Sequence, residues 1–323
     1  MGNSLLTVKN LKLNFNSYLG VAEVLDGISF DVKENSWVGL AGESGCGKTV
    51  AAFTILRLLP ESADIVNGEV IYKDRDILKL SKKEIQKIRG KEISIIFQDP
   101  QTSLNPSIRI GDCMIETLKA SRRISNKEAK DVVISMLEKV KISYPKLRSN
   151  QYPHELSGGM QQRVCIALAL LCNPNLLIAD EFTTNLDVTI QEEILKLVLD
   201  LQKSISISIL FITHDLALIN KSCKYVIIMY AGQIVEKGKV SEVFKSPSHP
   251  YTKALLNSIP KIKGNKKRLE SIKGFVPSLI NPPKGCRFHT RCEHKIPNKC
   301  DKYFPNSFNL ENEHQVWCHL YKK

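Results

Sequence analysis

The eight residues from Gly42 to Thr49, GESGCGKT, carry the clearest chemistry in the sequence because they fit the pattern G-x-x-x-x-G-K-[ST]. Gly42, Gly45 and Gly47 permit a tight turn whose backbone N–H groups point inward, next to the positive end of the following helix. Such a turn makes a socket for a polyphosphate. Lys48 would reach the β and γ phosphates, and the Thr49 hydroxyl would hold Mg²⁺. The loop therefore predicts a nucleotide site.

Further polar residues stand where apolar runs end. They are Gln98, the adjacent pair Asp180 and Glu181, and His214. Successive side chains on a strand diverge, so Asp180 can face Mg²⁺ while Glu181 points to an attacking water. Gln98 is placed to sense a metal or a water, and His214 to donate a hydrogen bond to the γ phosphate. Taken singly, each also fits an ordinary strand-end amide, a surface acid or a structural histidine.

A second anion site is predicted at Ser157, Gly158 and Gly159. These residues come directly before an apolar helix that runs through Ala167 and Leu171. The N-terminus of a helix offers unpaired N–H groups and a positive dipole end, which favour a phosphate.

The elements around these residues predict an α/β chain. Residues 5–13 and 24–32 alternate apolar and polar positions, as two antiparallel strands do. Apolar runs before the phosphate loop, Gln98, Asp180 and His214 indicate buried strands, and helices are predicted over 50–59 and 188–202. Residues from about 101 to 165 instead show mainly helical periodicity, which indicates a helical insertion.

Together the motifs resemble the nucleotide-binding subunit of an ABC transporter across roughly residues 5–240. The order is GESGCGKT, Gln98, LSGGMQQR, LLIADE, NLD and His214. The segments FQDPQTSLNP, YPHELSGGM and SPSHPYTKALLNSIP are similar to those of peptide and nickel importer ATPases, and the long tail narrows the resemblance to the oligopeptide and dipeptide branch. It implies a P-loop NTPase core over 1–240, with an antiparallel β subdomain and a helical subdomain, and a small irregular cysteine-rich extension over 241–323.

The resemblance also implies how the residues work. Two ATPase subunits would pair head to tail, so that the Ser157 segment of one serves the nucleotide of the other. Glu181 would be the general base, aided by His214, Lys48 and Gln98, and Mg²⁺ would be held by Thr49, Gln98 and Asp180. Contacts with ATP are implied for Phe15, which stacks on the base with Tyr18 as second choice, and for Gly42, Glu43, Ser44, Gly45, Cys46, Gly47, Lys48, Thr49, Val50, Gln98, Ser157, Gly158, Gly159, Gln161, Asp187 and His214.

The implied partners are two transmembrane permease subunits, a second and homologous ATPase, and an extracytoplasmic solute-binding protein reached through the permeases. The chain would then lie on the cytoplasmic face of the cell membrane as a peripheral ATP-hydrolysing motor for peptide uptake. Its own apolar runs agree with this, since none is long enough to span a bilayer and the first residues show no secretion signal.

Two positions depart from the family pattern. Phe182 stands where a proline usually follows the catalytic glutamate, and Asn185 stands where a small residue is usual. Both flank the segment that touches the second subunit, so they bear on subunit pairing rather than on catalysis.

Four cysteines cluster in the tail with the spacing C-x5-C-x7-C-x17-C: Cys286, Cys292, Cys300 and Cys318. The stretch has little periodicity, so a metal held by four thiolates would supply stability that a core cannot. Zn²⁺ and a [4Fe-4S] cluster both suit four cysteines, with His289 or His294 as substitute ligands. The absence of a C-x2-4-C pair and a similarity to the iron–sulfur motif of dipeptide-importer ATPases favour the cluster; free thiols are the remaining alternative.

The basic excess lies in the tail. The whole chain has a net charge of +13, and residues 241–323 contain 16 Lys and Arg against 6 Asp and Glu. This basic excess is compatible with a solvated surface. It is also the only support for a soluble ABC ATPase acting on nucleic acid, and we do not expect nucleic acid as a partner. A nickel or other small-solute importer ATPase is the other alternative, although such proteins usually lack the cysteine tail.

Overall fold

The computed structural model describes residues 4–184, 186–258 and 272–321. The chain divides into two compact units, one made of residues up to 79 and from 211 onward, the other of residues 80–210. The first unit begins with the elements β1 (Ser4–Ser17), β2 (Gly20–Lys33), β3 (Trp37–Ala41), α1 (Lys48–Leu56), β4 (Ala63–Tyr72) and β5 (Arg75–Asp76). Strands β2, β1, β4 and β5 form an antiparallel sheet in that order. The two predicted N-terminal strands are confirmed, and each is longer than the alternating pattern indicated.

Helix α1 is shorter at its end than the predicted helix over 50–59. It stops at Leu56 because Arg57 adopts a left-handed conformation, with φ of 51°, and its N–H bonds back to the carbonyl of Thr54. The apolar residues after this point therefore leave the helix.

The second unit contains the helical insertion. Its elements are α2 (Lys82–Ile88), β6 (Ile93–Ile96), α3 (Pro100–Ser103), α4 (Ile110–Ser121), α5 (Asn126–Lys139), α6 (Pro145–Arg148), α7 (Gly158–Leu170), β7 (Leu176–Asp180) and α8 (Val188–Ile205). Strands β6 and β7 pair in parallel. Ser125 and Glu128 form a reciprocal capping box at the start of α5, as their spacing favours. The helical pattern predicted from about 101 to 165 corresponds to α3 through α7.

The boundary between the units falls inside β8 (Ser208–Thr213). The first unit then continues with α9 (Leu216–Ser222), β9 (Tyr225–Tyr230), β10 (Gln233–Lys239), α10 (Val240–Lys245), α11 (Pro250–Asn257), β11 (Ser307–Asn309) and β12 (Gln315–Trp317). Its larger sheet has the order β11-β12-β10-β9-β3, in which β3 and β9 are parallel and the other pairs antiparallel. Among the described residues, we find no helix both long and apolar enough to cross a bilayer.

The C-terminal tail belongs to the first unit, and the carboxylate of Glu236 in β10 is one of its anchors. It accepts hydrogen bonds from the backbone N–H groups of Ser248 and His249 at 2.7 and 2.8 Å and from Nε2 of His314 at 2.6 Å. Glu236 is fully buried, so these donors replace the water that its charge requires. The predicted linker over 261–268 lies outside the described residues.

His249 gives the first unit a testable dependence on pH. Burial, with the charge of Lys253 adding to it, lowers the pKa of His249 from 6.5 to about 3. Between these values the unfolded chain binds a proton that the folded chain does not, so this residue makes the free energy of unfolding fall as pH falls. We expect H249N, which keeps a side-chain oxygen to cap α11 in place of Nδ1, to reduce that slope by about 1.4 kcal/mol per pH unit. Urea unfolding at pH 6.5, 5.5 and 4.5 measures this; equal slopes in both proteins would contradict it.

Candidate nucleotide site

The phosphate-binding loop follows a strand that is buried along its whole length. After β3 the chain turns at Gly42, where φ is 155° and a Cβ atom would collide with the carbonyl oxygen of Met229. Gly47, at the start of α1, has φ of 99°, and a Cβ there would lie 2.9 Å from the carbonyl oxygen of Val24. Only glycine fits both positions, so the loop has the tight shape that the motif predicts.

Lys48 is held inside this loop. Its side chain is 4 % exposed, and Nζ donates hydrogen bonds to the carbonyl oxygens of Gly42 at 2.9 Å and Glu43 at 3.1 Å. Thr49 follows it at the N-terminus of α1. Cys46 is buried, and burial raises the pKa of its thiol, so it fills space as a neutral side chain.

In the second unit, the structure brings the predicted acid pair and Gln98 to the ends of neighbouring strands. Asp180 is the last residue of β7 and is 3 % exposed. Burying a carboxylate is costly, and a bound cation would offset that cost. Glu181 follows with φ of 42°, a left-handed conformation that is rare for a glutamate and that turns it away from the strand. Nε2 of Gln98, two residues after β6, donates to Oε2 of Glu181 at 3.3 Å.

The predicted second anion site lies at the N-terminus of α7. Ser157 is the N-cap residue, and its exposed side chain makes no capping hydrogen bond to the first N–H groups of the helix. Gln161 is turned inward and is 7 % exposed, with Nε2 donating to the carbonyl oxygens of Pro153 and Leu156. Its amide braces the segment before the helix, and its contact with the nucleotide stays a prediction.

Other predicted contacts occupy varied settings. Phe15 is half-buried and pairs with Ala22 on β2 and Ala63 on β4, whereas the alternative aromatic, Tyr18, is 96 % exposed. Asp187 caps α8 by accepting the N–H of Ile190 at 3.0 Å. His214, the last of the predicted ATP contacts, follows β8 directly, and its side chain is exposed.

Similarity to known proteins identifies the family of this chain. The model of the ABC transporter family matches residues 25–184, and that of the oligopeptide/dipeptide transporter C-terminal region matches residues 235–300. A probable peptide ABC transporter ATP-binding protein of Sinorhizobium fredii is 46% identical over 97% of this chain and 94% of its own. The dipeptide transport ATP-binding protein DppD of Bacillus subtilis is 44% identical over 98% of this chain and 94% of its own.

The chain belongs to the ABC transporter family. It falls in the branch of oligopeptide and dipeptide transporter ATP-binding proteins, and it is an ATPase.

Solved structures agree on the ABC ATPase fold. The dimeric structure of MJ0796, a bacterial ABC transporter cassette, has a TM-score of 0.65 at 26% identity, covering 73% of this chain and 98% of that one. The structure of cbiO1 from Clostridium perfringens, part of the ABC transporter complex cbiONQ, also has a TM-score of 0.65, at 28% identity over 76% of this chain and 92% of that one. The predicted P-loop core with antiparallel and helical parts is therefore confirmed.

Of the two residues that depart from the ABC pattern, Phe182 and Asn185, the structure describes only Phe182. Phe182 is buried and lines a cavity of about 290 Å³ in the second unit, together with Gln98 and Gly158. Its side chain therefore serves packing at this wall. Asn185 lies outside the described residues.

The four thiols of the tail interact with one another. Cys286, Cys300 and Cys318 are buried and Cys292 is half-buried, and each lies close enough to others of the set to affect them electrostatically. Burial raises the pKa of Cys286 to about 12 and that of Cys318 to about 11, so a metal would displace their protons. Within residues 4–184, 186–258 and 272–321, however, no group of three or more His, Cys, Asp or Glu side chains is arranged to hold a metal ion.

Sequence reasoning missed two residues that contact the phosphate-binding loop. Arg291 forms an ion pair with Glu43 at 2.7 Å, and Oη of Tyr251 accepts the N–H of Glu43 at 2.9 Å. Tyr251 belongs to the segment SPSHPYTKALLNSIP that marks the family branch, and Arg291 to the run CRFHTRC. The available signal in the sequence was an arginine next to one of the tail cysteines, but its partner Glu43 lies far away in sequence.

Proposed function

We propose that this chain hydrolyses ATP to drive the uptake of dipeptides or oligopeptides through a membrane transporter. The observation that carries the proposal is the combination of a match to the ABC transporter family with a C-terminal region of the oligopeptide/dipeptide transporter type. The names of the relatives from Sinorhizobium fredii and Bacillus subtilis support the same cargo class.

In the proposed reaction, the phosphate-binding loop wraps the phosphates of ATP and Lys48 neutralises the β and γ oxygens. Mg²⁺ would be held by Thr49, Gln98 and Asp180, an all-oxygen donor set that suits this hard cation, and it would spread the charge that develops during transfer. Glu181 accepts the proton of the attacking water, and the amide of Gln98 orients the Glu181 carboxylate, as their hydrogen bond supports.

His214 would donate a hydrogen bond to the γ phosphate, and Phe15 would stack on the base. The half-buried, braced position of Phe15 supports it over Tyr18, whose side chain projects into solvent. Asp187 and Gln161 would contact ATP, and their hydrogen bonds fix the start of α8 and the segment before α7.

The chain would work in a pair of ATPase subunits on the cytoplasmic face of the membrane. The N-terminus of α7, which has no side-chain cap, would bind the γ phosphate of ATP on the other subunit, and closure would exclude bulk water. A cytoplasmic helix of one of two permease subunits would dock beside Gln98 and the helical insertion. An extracytoplasmic solute-binding protein would deliver the peptide to those permeases.

We further propose that the tail cysteines, Cys286, Cys292, Cys300 and Cys318, bind a [4Fe-4S] cluster, with Zn²⁺ as the alternative. Thiolates are the donors that both take, and the mutual electrostatic interaction of the four thiols supports a shared ligand set. The cluster would supply cross-links that a region with such short strands otherwise lacks.

Protein purified without oxygen should contain about four irons per chain and absorb broadly near ~400 nm. We expect C292S to lose the iron, because it removes one of the four proposed ligands. Cys292 is only half-buried, so its replacement leaves the packing intact. C172S in the second unit should retain the iron. Metal analysis and the absorption spectrum measure both. One zinc per chain, or iron retained by C292S, would contradict the cluster.

The proposed cargo can be tested on the complex reconstituted with its permeases and a peptide-loaded binding protein in vesicles. Dipeptides or oligopeptides should stimulate phosphate release, and nickel ions or free amino acids should not. Stimulation by nickel alone would favour a metal importer and overturn the proposal.

A further inference from the structure

Arg291 of the tail forms a two-point ion pair with Glu43, the second residue of the phosphate-binding loop. Nη1 donates to Oε2 at 2.7 Å and Nη2 to Oε1 at 3.3 Å. The Arg291 side chain is 5 % exposed and that of Glu43 26 % exposed, so water screens the pair only partly. Bidentate pairs of this kind are stronger and more directional than exposed ion pairs.

The other donors of Arg291 are occupied as well. Nε donates to the carbonyl oxygen of Lys273 at 2.9 Å, Nη1 also to Oη of Tyr230 at 3.3 Å, and Nη2 also to the carbonyl oxygen of Ile272 at 3.2 Å. With the two bonds to Glu43, these contacts use every N–H of the guanidinium. Arg291 is thus fixed in one orientation, and it imposes that orientation on Glu43.

Tyr251 holds the same residue from its backbone. Its hydroxyl oxygen accepts the N–H of Glu43 at 2.9 Å, and its ring is fully buried. The ring packs against Tyr230, with centroids 4.6 Å apart, and against Phe288, with centroids 5.3 Å apart. Glu43 is therefore held at its main chain by a residue 208 positions later and at its side chain by a residue 248 positions later.

Arg291 and Tyr251 thus fix Glu43, which also contacts Lys48 of the phosphate-binding loop. The carbonyl oxygen of Glu43 accepts a hydrogen bond from Nζ of Lys48 at 3.1 Å. A loop with three glycines loses much conformational entropy when it is ordered around a phosphate. A tether at Glu43 removes part of that loss before ATP arrives, so the loop binds more tightly.

We propose that Arg291 and Tyr251 are positioning residues for ATP binding, which act through Glu43 to hold the phosphate-binding loop in its binding shape. The tail thereby contributes to the nucleotide site of its own chain. The inference rests on ATP binding at this loop and is independent of the transported cargo and of any metal in the tail.

The test is a double-mutant cycle on the affinity of the purified full-length chain for a fluorescent ATP analogue with Mg²⁺. R291Q and E43Q should each weaken binding by about 5- to 20-fold, within the usual range of coupling between sites. Because both remove the same interaction, the double variant should bind no more weakly than either single one. E43Q changes only the loop residue of the Arg291–Glu43 ion pair and leaves the tail intact. It therefore tests this ion pair even if R291Q fails to fold.

R287Q is the matched control. Arg287 is a second buried arginine of the tail, and its hydrogen bonds run to Glu23 and Ala231 instead of the loop. It should lower the thermal unfolding temperature while leaving ATP affinity within about twofold, since it tests tail packing alone. Equal weakening by R287Q and R291Q, additive effects of R291Q and E43Q, or unchanged affinity in E43Q would each overturn the proposal.

Discussion

Replacing Glu181 with Gln is expected to lower the rate of ATP hydrolysis by about 10²- to 10⁴-fold, the range that general-base catalysis contributes. The amide cannot accept the proton of the attacking water. It keeps the size of the carboxylate and can still meet Gln98, whose Nε2 lies 3.3 Å from Oε2. ATP affinity should therefore change by less than about threefold, because the loop that binds the phosphates is untouched. Phosphate release and binding of a fluorescent ATP analogue measure the two effects.

E193Q is the matched control for this change. Glu193 is another glutamate of the second unit, with a side chain that is 56 % exposed and paired with Arg163. Its replacement should leave hydrolysis within about twofold, since exposed ion pairs contribute little. If E181Q kept more than about a tenth of the wild-type rate, Glu181 would not be the general base.

The second large effect is expected from K48A. Removing the ammonium deletes charge-assisted hydrogen bonds to the phosphates, which should weaken ATP binding by about 10- to 100-fold and abolish measurable hydrolysis. This pattern differs from that of E181Q, where affinity is retained. Titration with the same fluorescent analogue, together with phosphate release, distinguishes the two roles.

K79A serves as its control, because Lys79 is a lysine of the same unit whose side chain is 75 % exposed and pairs with Asp76. Its loss should alter neither affinity nor rate. Wild-type affinity in K48A would contradict the role of the loop.

Local patterns were sufficient to predict the parts of the site that follow strands. The buried β3 before the loop, the acid pair at the end of β7 and the glycines that begin α7 all follow from periodicity and from the conformations that glycine permits. The sequence predicted that Gln98 and Glu181 each follow a strand, but it did not predict the hydrogen bond between them. The left-handed conformation of Glu181 carried no signal in the sequence.

The tail is where sequence patterns carried least information. Strand β12 has three residues and pairs with β10, which lies about eighty positions earlier, so neither periodicity nor turn chemistry predicts the pairing. The contacts of Arg291 and of the buried Glu236 depend on the same long-range packing. The hydrogen bonds from Gln161 to the carbonyl groups of the preceding turn were likewise not predicted, and its contact with the nucleotide stays a prediction.

The most direct test of the account is ATP-driven accumulation of a labelled dipeptide in vesicles that contain the permeases, both ATPase subunits and the binding protein. With the wild-type chain, the peptide should accumulate only when ATP and Mg²⁺ are supplied on the side that carries this subunit. With E181Q, accumulation should fall with hydrolysis while ATP still binds. Hydrolysis without accumulation of any dipeptide or oligopeptide, or accumulation that persists in E181Q at the wild-type rate, would contradict it.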